Sequence, residues 1–247
     1  DVARVTAPRR PAYDPGTPRD GGYRMRVVAG SWARVRARAT RTEAADGGGF
    51  EWIGLVEDIN AYRAAQDKAE HLARHDALTG LANRASLQER LSSLCGQGGA
   101  TDVAILCLGL DRFKGLNDTL GHAVGDEVLK QVAARLAAAI APEDMVARLG
   151  GDEFAIVQTA GPQPRAASHL VQELMDALAA PFTVGDDKIL VTASVGIALA
   201  GEDPAELAMQ KADMALDRAK ADGRARFCFF EAAMDARMQE RHRLEQD

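Results

Sequence analysis

The chain has 247 residues, 47% hydrophobic and 27% charged, which excludes a disordered, collagen-like or disulfide-stapled protein and leaves room for a sizeable core. Three scattered cysteines (Cys95, Cys107, Cys228), none in a CxxC pair, exclude a disulfide framework and fit a reducing compartment; apolar runs well short of ~18 residues and the lack of a charged-then-apolar leader predict a cytoplasmic chain without a membrane segment. The net charge of −6 is unevenly divided, with ten Arg against three acids in residues 1–41 and the acidic excess beyond them.

Residues 1–20, punctuated by Pro8, Pro11, Pro15 and Pro18, read as a connection holding at best one short helix. Strand-like alternation then runs through Tyr23–Val28, Trp32–Thr42 and Phe50–Ile59, separated by glycine-bearing turns at 29–31 and 46–49, which predicts an antiparallel meander. Arg24, Arg26, Arg34, Arg36 and Arg38 recur at every second position, the pattern of a solvated strand face. A nucleic-acid surface is the competing reading of so basic a segment, and no nucleic-acid partner is expected. From Asn60 to about Arg74 the chain is rich in Ala, carries Gln66 and Glu70, and is free of Gly and Pro, which predicts a helix. Its weak apolar spacing at Tyr62, Ala65, Ala69, Leu72 and Ala73 suits a plain linker or a signalling helix on which two chains pair.

Beyond Asp76 strands and helices alternate. The pattern predicts a strand over Val103–Leu110, a helix from about Gly125 to Ile140, short strands flanking Gly150-Gly151 and a helix over Gln163–Ala180. A long strand over Ile189–Ala200, a helix over Pro204–Ala221, a strand over Arg226–Phe230 and a polar helix from Glu231 complete it. This is an α+β (α/β-like) domain with mixed strand order. The most informative stretch is Arg148-Leu149-Gly150-Gly151-Asp152-Glu153-Phe154. Two glycines in a hairpin admit positive φ and present no Cβ, so a triphosphate can approach the backbone. Two adjacent carboxylates there are costly without a cation; on a strand they point to opposite faces and take different tasks, one on a metal and one nearer the reacting hydroxyl. Taken alone, the same residues also make an ordinary hairpin turn.

That stretch, with Asp76-Ala77-Leu78-Thr79-Gly80-Leu81-Ala82-Asn83-Arg84 upstream, resembles the GGDEF family of diguanylate cyclases. The match continues through Asp111-Arg112-Phe113-Lys114, Asn117-Asp118, Gly121-His122, Gly125-Asp126-Glu127, 193–198, 212–216 and Ala219-Lys220-Ala221-Asp222-Gly223-Arg224. The resemblance implies a nucleotidyl-cyclase or polymerase-palm fold, a central mixed sheet flanked by helices. It implies a homodimer that joins two GTP into cyclic di-GMP with Mg²⁺ or Mn²⁺. Carried over by motif, Asn117, His122 and Asp126 hold the guanine nucleoside; Lys114, Lys220 and Arg224 contact phosphates; Gly150 and Gly151 line the triphosphate. Asp152 and the Leu110 carbonyl bind the metal. Glu153 and Lys114 are catalytic, as proton acceptor and charge stabiliser. An acid at 126 suits guanine, whose N1–H and 2-amino group donate where adenine N1 accepts. Each residue also has a plainer role: Lys220 and Arg224 against a helix dipole, Asn117 as a turn cap, His122 packing at a helix start. Upstream, Tyr23-Arg24-Met25-Arg26, Gly30-Ser31-Trp32, Trp52-Ile53-Gly54 and Glu57-Asp58-Ile59 look like the last three strands of a PAS sensor domain. Downstream, Phe229-Phe230-Glu231, Met234–Met238 and Arg243-Leu244-Glu245 look like the connector that leads in related proteins to an EAL phosphodiesterase domain. The expected division is 1–59 (PAS remnant), 60–74 (signalling helix), 75–232 (GGDEF domain) and 233–247 (start of a connector to an EAL domain not in this chain).

Three positions depart from the family pattern. Its first metal Asp, eight residues before Asn117, is Gly109 here. Asp111 shares that face but is displaced by ~6.5–7 Å along the strand. GTP binding then outlasts turnover, which by analogy with deleting one transition-state stabiliser falls by at least ~10²- to 10³-fold, and a GTP-binding regulator of a phosphodiesterase partner becomes the alternative. The Arg of the product-inhibition motif is Ala141, although its Asp is present as Asp144, and Asp217 replaces a Tyr.

Overall fold

The computed structural model describes residues 19–26, 32–43, 50–95, 103–201 and 203–231. The proline-rich connection before residue 19, the turns at 29–31 and 46–49, and the polar helix and connector beyond Glu231 lie outside the described residues. The chain divides into two compact units, 1–70 and 71–247.

In the first unit β1 (Arg19–Arg26), β2 (Trp32–Glu43) and β3 (Phe50–Asp58) form an antiparallel sheet in sequence order. Ala33 and Val35 are buried while Arg34, Arg36 and Arg38 are exposed, the one-sided burial that the alternation anticipates. β1 starts earlier than the alternation suggests, because Gly21 and Gly22 pair through their backbone with Ala37 and Arg36 and have no side chains to alternate. α1 (Asn60–Arg74) follows, its first N–H bonded to Asp58 Oδ1 at 2.8 Å.

The second unit opens with β4 (Ala82–Asn83) and α2 (Arg84–Leu94), and continues through β5 (Ala104–Leu110), α3 (Phe113–Leu120) and α4 (His122–Ala139). The hairpin β6 (Met145–Gly150) and β7 (Glu153–Gln158), α5 (Arg165–Ala179) and the small hairpin β8 (Phe182–Val184) and β9 (Asp187–Ile189) come next. β10 (Ala193–Leu199), α6 (Ala205–Ala221) and β11 (Phe227–Phe229) complete it. Six strands form one mixed sheet in the order β11-β10-β5-β7-β6-β4, with β10–β11 and β4–β6 parallel and the inner pairs antiparallel.

β5 is buried at every position, as a central strand covered on both faces must be. Leu106, Leu108, Phe154, Ile156, Val195 and Ile197 face Val128, Val132 and Leu136 of α4 and Leu170, Val171 and Leu174 of α5. Ile105, Cys107, Ala155 and Ala198 face Leu87 and Leu91 of α2 and Ala208, Ala212 and Leu216 of α6. On that second face α6 lies against the sheet so closely that a Cβ on Gly196 would fall 2.1 Å from Ala212 O and Leu216 N.

Several elements differ from the pattern-based expectation. α2 and α3 are not among the expected helices, because their apolar spacing, Leu87, Leu91 and Leu94 in one and Phe113, Leu116 and Leu120 in the other, runs over only two or three turns. The apolar run Ile189–Ala200 is two strands: β9 turns back on β8, and exposed Leu190 sits in the break before β10 joins the central sheet. α4 begins at His122, because Gly121 at φ 85° ends α3 and admits the sharp entry to the next helix.

Candidate active site

β5, the β6–β7 hairpin, the α3–α4 junction and the loop after α6 converge at the carboxyl end of β5. The hairpin is closed by Gly151 and Asp152, with Gly150 paired to Glu153 and φ of 139° and 52° at Gly150 and Gly151, conformations that side chains rarely adopt. Asp152 therefore stands in the turn and not on a strand, so the alternation expected for the two carboxylates does not govern it; only Glu153 belongs to β7, and it is exposed while Asp152 is half-buried. Leu110 N–H donates to Asp152 O at 3.2 Å, which brings Asp152 and Leu110 together. Arg148 donates to Gly151 O through Nε (3.0 Å) and Nη2 (2.7 Å), and its Nη1 donates to Asp76 Oδ1 at 2.9 Å.

The three nucleoside candidates meet where α3 gives way to α4. Asn117 lies in the last turn of α3, His122 opens α4 and Asp126 stands one turn later on the face of His122. Asn117 Oδ1 lies where a Cβ on Gly125 would intrude, 1.9 Å away, so only glycine at 125 leaves space for that amide. The same oxygen is buried without a hydrogen-bond partner, a costly state. Lys114, His122 and Asp126 are exposed.

Asp111, considered from sequence as a displaced metal ligand, is taken by other work. It accepts from Thr192 Oγ1 (2.7 Å), Ser194 Oγ (2.7 Å) and Ala225 N (3.0 Å), and so ties the loop after α6 to the end of β5. That loop holds Arg224 at φ 64° with its N–H on Ala219 O at 3.1 Å. Lys220, one turn earlier, extends its side chain over Gly109. The motif Asp-Arg-Phe-Lys carried no hint of Asp111 as an anchor; polar Thr192 and Ser194 beside an otherwise apolar run were the available signal. Asp144 accepts from Thr159 N at 2.7 Å and Ala160 N at 3.1 Å, and α6 passes unbroken through exposed Asp217. Cys107, on the Gly109 face, has its thiol pushed well up by burial and by the negative charges of Asp213 and Glu153, which leaves it a poor nucleophile.

Among the described residues no three His, Cys, Asp or Glu side chains gather as a metal site. At the hairpin stand the carboxylates of Asp152 and Glu153, with the end of β5 beside them at Leu110. One hard cation that takes its other ligands from phosphate and water is compatible with so few donors. Gly109 supplies no carboxylate for a second, and an ammonium stands over it.

Residues 73–226 match the family described as "Diguanylate cyclase, GGDEF domain". Over 211 residues the chain is 43% identical to an uncharacterized signaling protein of Caulobacter vibrioides, covering 82% of this chain and 26% of that one. It is 40% identical over 181 residues to the bifunctional diguanylate cyclase/cyclic di-GMP phosphodiesterase MucR of Pseudomonas aeruginosa, covering 71% of this chain and 26% of that one. The chain thus spans about a quarter of the length of these curated relatives. The crystallised GGDEF domain of YfiN (TpbB) from Pseudomonas aeruginosa superposes with a TM-score of 0.64 at 34% identity, covering 67% of this chain and 99% of that one. With its hairpin glycines and acids at the mouth of a helix-flanked mixed sheet, this chain belongs to the diguanylate cyclase GGDEF domain family.

Proposed function

We propose that the second unit binds GTP at the hairpin and, as a homodimer, condenses two GTP into cyclic di-GMP at a rate lowered by ~10²- to 10³-fold for want of one acidic ligand. The observation that carries the binding half is the seating of the Asn117 amide against Gly125 at the α3–α4 junction, with exposed Asp126 next in sequence to that glycine: an amide and a carboxylate suited to the N1–H and 2-amino donors of guanine. In the reaction the 3′-hydroxyl oxygen of one GTP forms a bond to the α-phosphorus of the other, the bond to the bridging oxygen breaks and pyrophosphate leaves. The hydroxyl proton passes to Glu153. Lys114 neutralises charge developing on the phosphoryl oxygens, Lys220 and Arg224 hold the phosphates, and Gly150 and Gly151 let the triphosphate lie against the backbone. Asp152 and Leu110 O would hold one Mg²⁺ or Mn²⁺, which supplies charge neutralisation on the triphosphate.

Residues 1–59 are the end of a PAS sensor domain, for which the three-stranded meander is the support. Residues 60–74 are a signalling helix: Tyr62, Ala65, Ala69, Leu72 and Ala73 are all exposed, an apolar stripe suited to pairing with a second copy. Residues 75–232 are the GGDEF domain, and 233–247 begin a connector to an EAL phosphodiesterase domain, an arrangement in keeping with the bifunctional name of MucR. A second reading, a GTP-binding regulator of that phosphodiesterase, is favoured by the ammonium over Gly109. One experiment separates the readings: incubation of the purified chain with GTP and Mg²⁺ or Mn²⁺, with chromatography of the products, beside Gly109→Asp. Cyclic di-GMP from the unaltered chain supports the cyclase. Bound GTP with product only from the variant supports the regulator, and failure of the unaltered chain to bind GTP overturns both.

A further inference from the structure

Gly109 is the penultimate residue of β5, on the face that α6 covers, and pairs with Glu153 in β7 and Ser194 in β10. A Cβ built there would lie 3.1 Å from both Cε and Nζ of Lys220 and 3.8 Å from Leu216 Cδ2. The ammonium therefore stands at the start of the path that any side chain at 109 would take. No ion pair holds it there among the described residues, and Glu153, the β7 partner of Gly109, is exposed.

Charge arithmetic separates two kinds of site. A carboxylate at 109 would meet Lys220 at contact distance and cancel its charge, and with Asp152 and Glu153 would leave a strongly anionic mouth that accepts a triphosphate only when divalent cations intervene. With glycine at 109 one negative charge is gone and one positive charge is released. An ammonium with three donors is a compact binder of phosphate oxygens, and on a helix packed this tightly it is already in place.

We propose that Lys220 Nζ is the resident cation of the triphosphate site, binding phosphate oxygens of GTP in place of one divalent ion, so that this chain binds GTP without a divalent metal. The inference rests on the GTP-binding reading above and adds to it a metal-independent mode of recognition set by the pair Gly109 and Lys220. It makes the glycine more than a lost ligand: the absence of a side chain is what frees the lysine.

The test is calorimetric titration of the whole chain with GTP in excess EDTA and in excess Mg²⁺, for the unaltered protein, Lys220→Met, Lys220→Arg and Gly109→Asp. The unaltered chain is expected to bind in both conditions with affinities within about threefold. Lys220→Met loses about 10- to 100-fold in EDTA, the range for a lost hydrogen bond to a charged group, and Lys220→Arg retains most of the binding. Gly109→Asp loses metal-free affinity to a similar extent, because the new carboxylate captures the ammonium. Electron paramagnetic resonance in the presence of GTP then detects more bound Mn²⁺ on this variant than on the unaltered chain, a readout that does not need turnover. GTP binding by the unaltered chain that vanishes in EDTA overturns the inference and leaves the GTP site standing, as does an unchanged metal-free affinity in Lys220→Met or Gly109→Asp. Absence of GTP binding with and without Mg²⁺ overturns the GTP site itself, and the inference with it.

Discussion

Asp76 receives three hydrogen bonds on one carboxylate oxygen, from Thr79 N at 2.9 Å, Thr79 Oγ1 at 2.7 Å and Arg148 Nη1 at 2.9 Å. Burial pushes its carboxyl up, but the bonds from Thr79 and Arg148 and the guanidinium charge outweigh it and hold the group below the ordinary carboxylate value. A lowered folded value means stabilisation that is complete above the unfolded value of about 3.9 and is lost as the pH falls through the folded one. Asp76→Asn is expected to cost about 1 kcal/mol at pH 7, a figure discounted for partial exposure, and the gap between the two proteins closes as the carboxyl protonates. Urea melts at pH 7 and at progressively more acid pH check this; a gap that widens in acid contradicts the assignment. Because Arg148 also grips Gly151 O, the same substitution loosens the hairpin turn that carries Asp152.

The elements are joined by side chains that serve two at once. Asn83 caps α2 by accepting from Ser86 N at 3.0 Å, and its Nδ2 donates to Ala73 O at 2.9 Å at the end of α1. Ser86 Oγ adds a bond to Arg74 O at 2.8 Å. The last turn of α1, whose carbonyls would otherwise be orphaned, is thus bound to the first turn of α2. Two residues beyond α1, Asp76 continues through Arg148 to the hairpin, a covalent and hydrogen-bonded route from the helix to the Gly150-Gly151 turn. Asn83→Ala removes the cap and the clamp together. The expected loss is about 1–2 kcal/mol, with faster amide hydrogen exchange confined to the last turn of α1 and the first turn of α2. Faster exchange in the first turn of α2 alone would mean that only the cap matters, and no local change at either helix end contradicts both roles.

At the scale of the whole molecule, two units with separate cores predict two unfolding events. Both tryptophans, Trp32 and Trp52, lie in β2 and β3 of the first unit, whereas among the described residues five of the six helices lie in the second. Tryptophan emission therefore reports the small sheet and far-ultraviolet circular dichroism chiefly reports the large unit. The expected outcome in urea is two curves that do not coincide, with the emission change first, since a three-stranded sheet that buries Ala33 and Val35 and leaves Leu55 and Val56 exposed has little apolar surface to lose. Superimposed curves would show the units to unfold as one.

Periodicity determined most of this protein in advance: the alternating arginines mark an exposed strand face, the Gly-free stretch from Asn60 is a helix over its expected length, and the glycine pair forms a hairpin with Asp152 and Glu153 at its mouth. These are local properties, because a strand's alternation, a helix's composition and a turn's φ are written in consecutive residues. Contacts between distant segments were not legible. The break at Leu190 hides within an apolar run because β9 and β10 pair with different partners. Asp111 becomes a strut because Thr192, Ser194 and Ala225 arrive from more than eighty residues away. Gly109 reads in the sequence only as a missing acid; that Lys220 stands over it follows from packing α6 on the sheet, and no one-dimensional pattern records where a helix lays its side chains on a neighbouring strand.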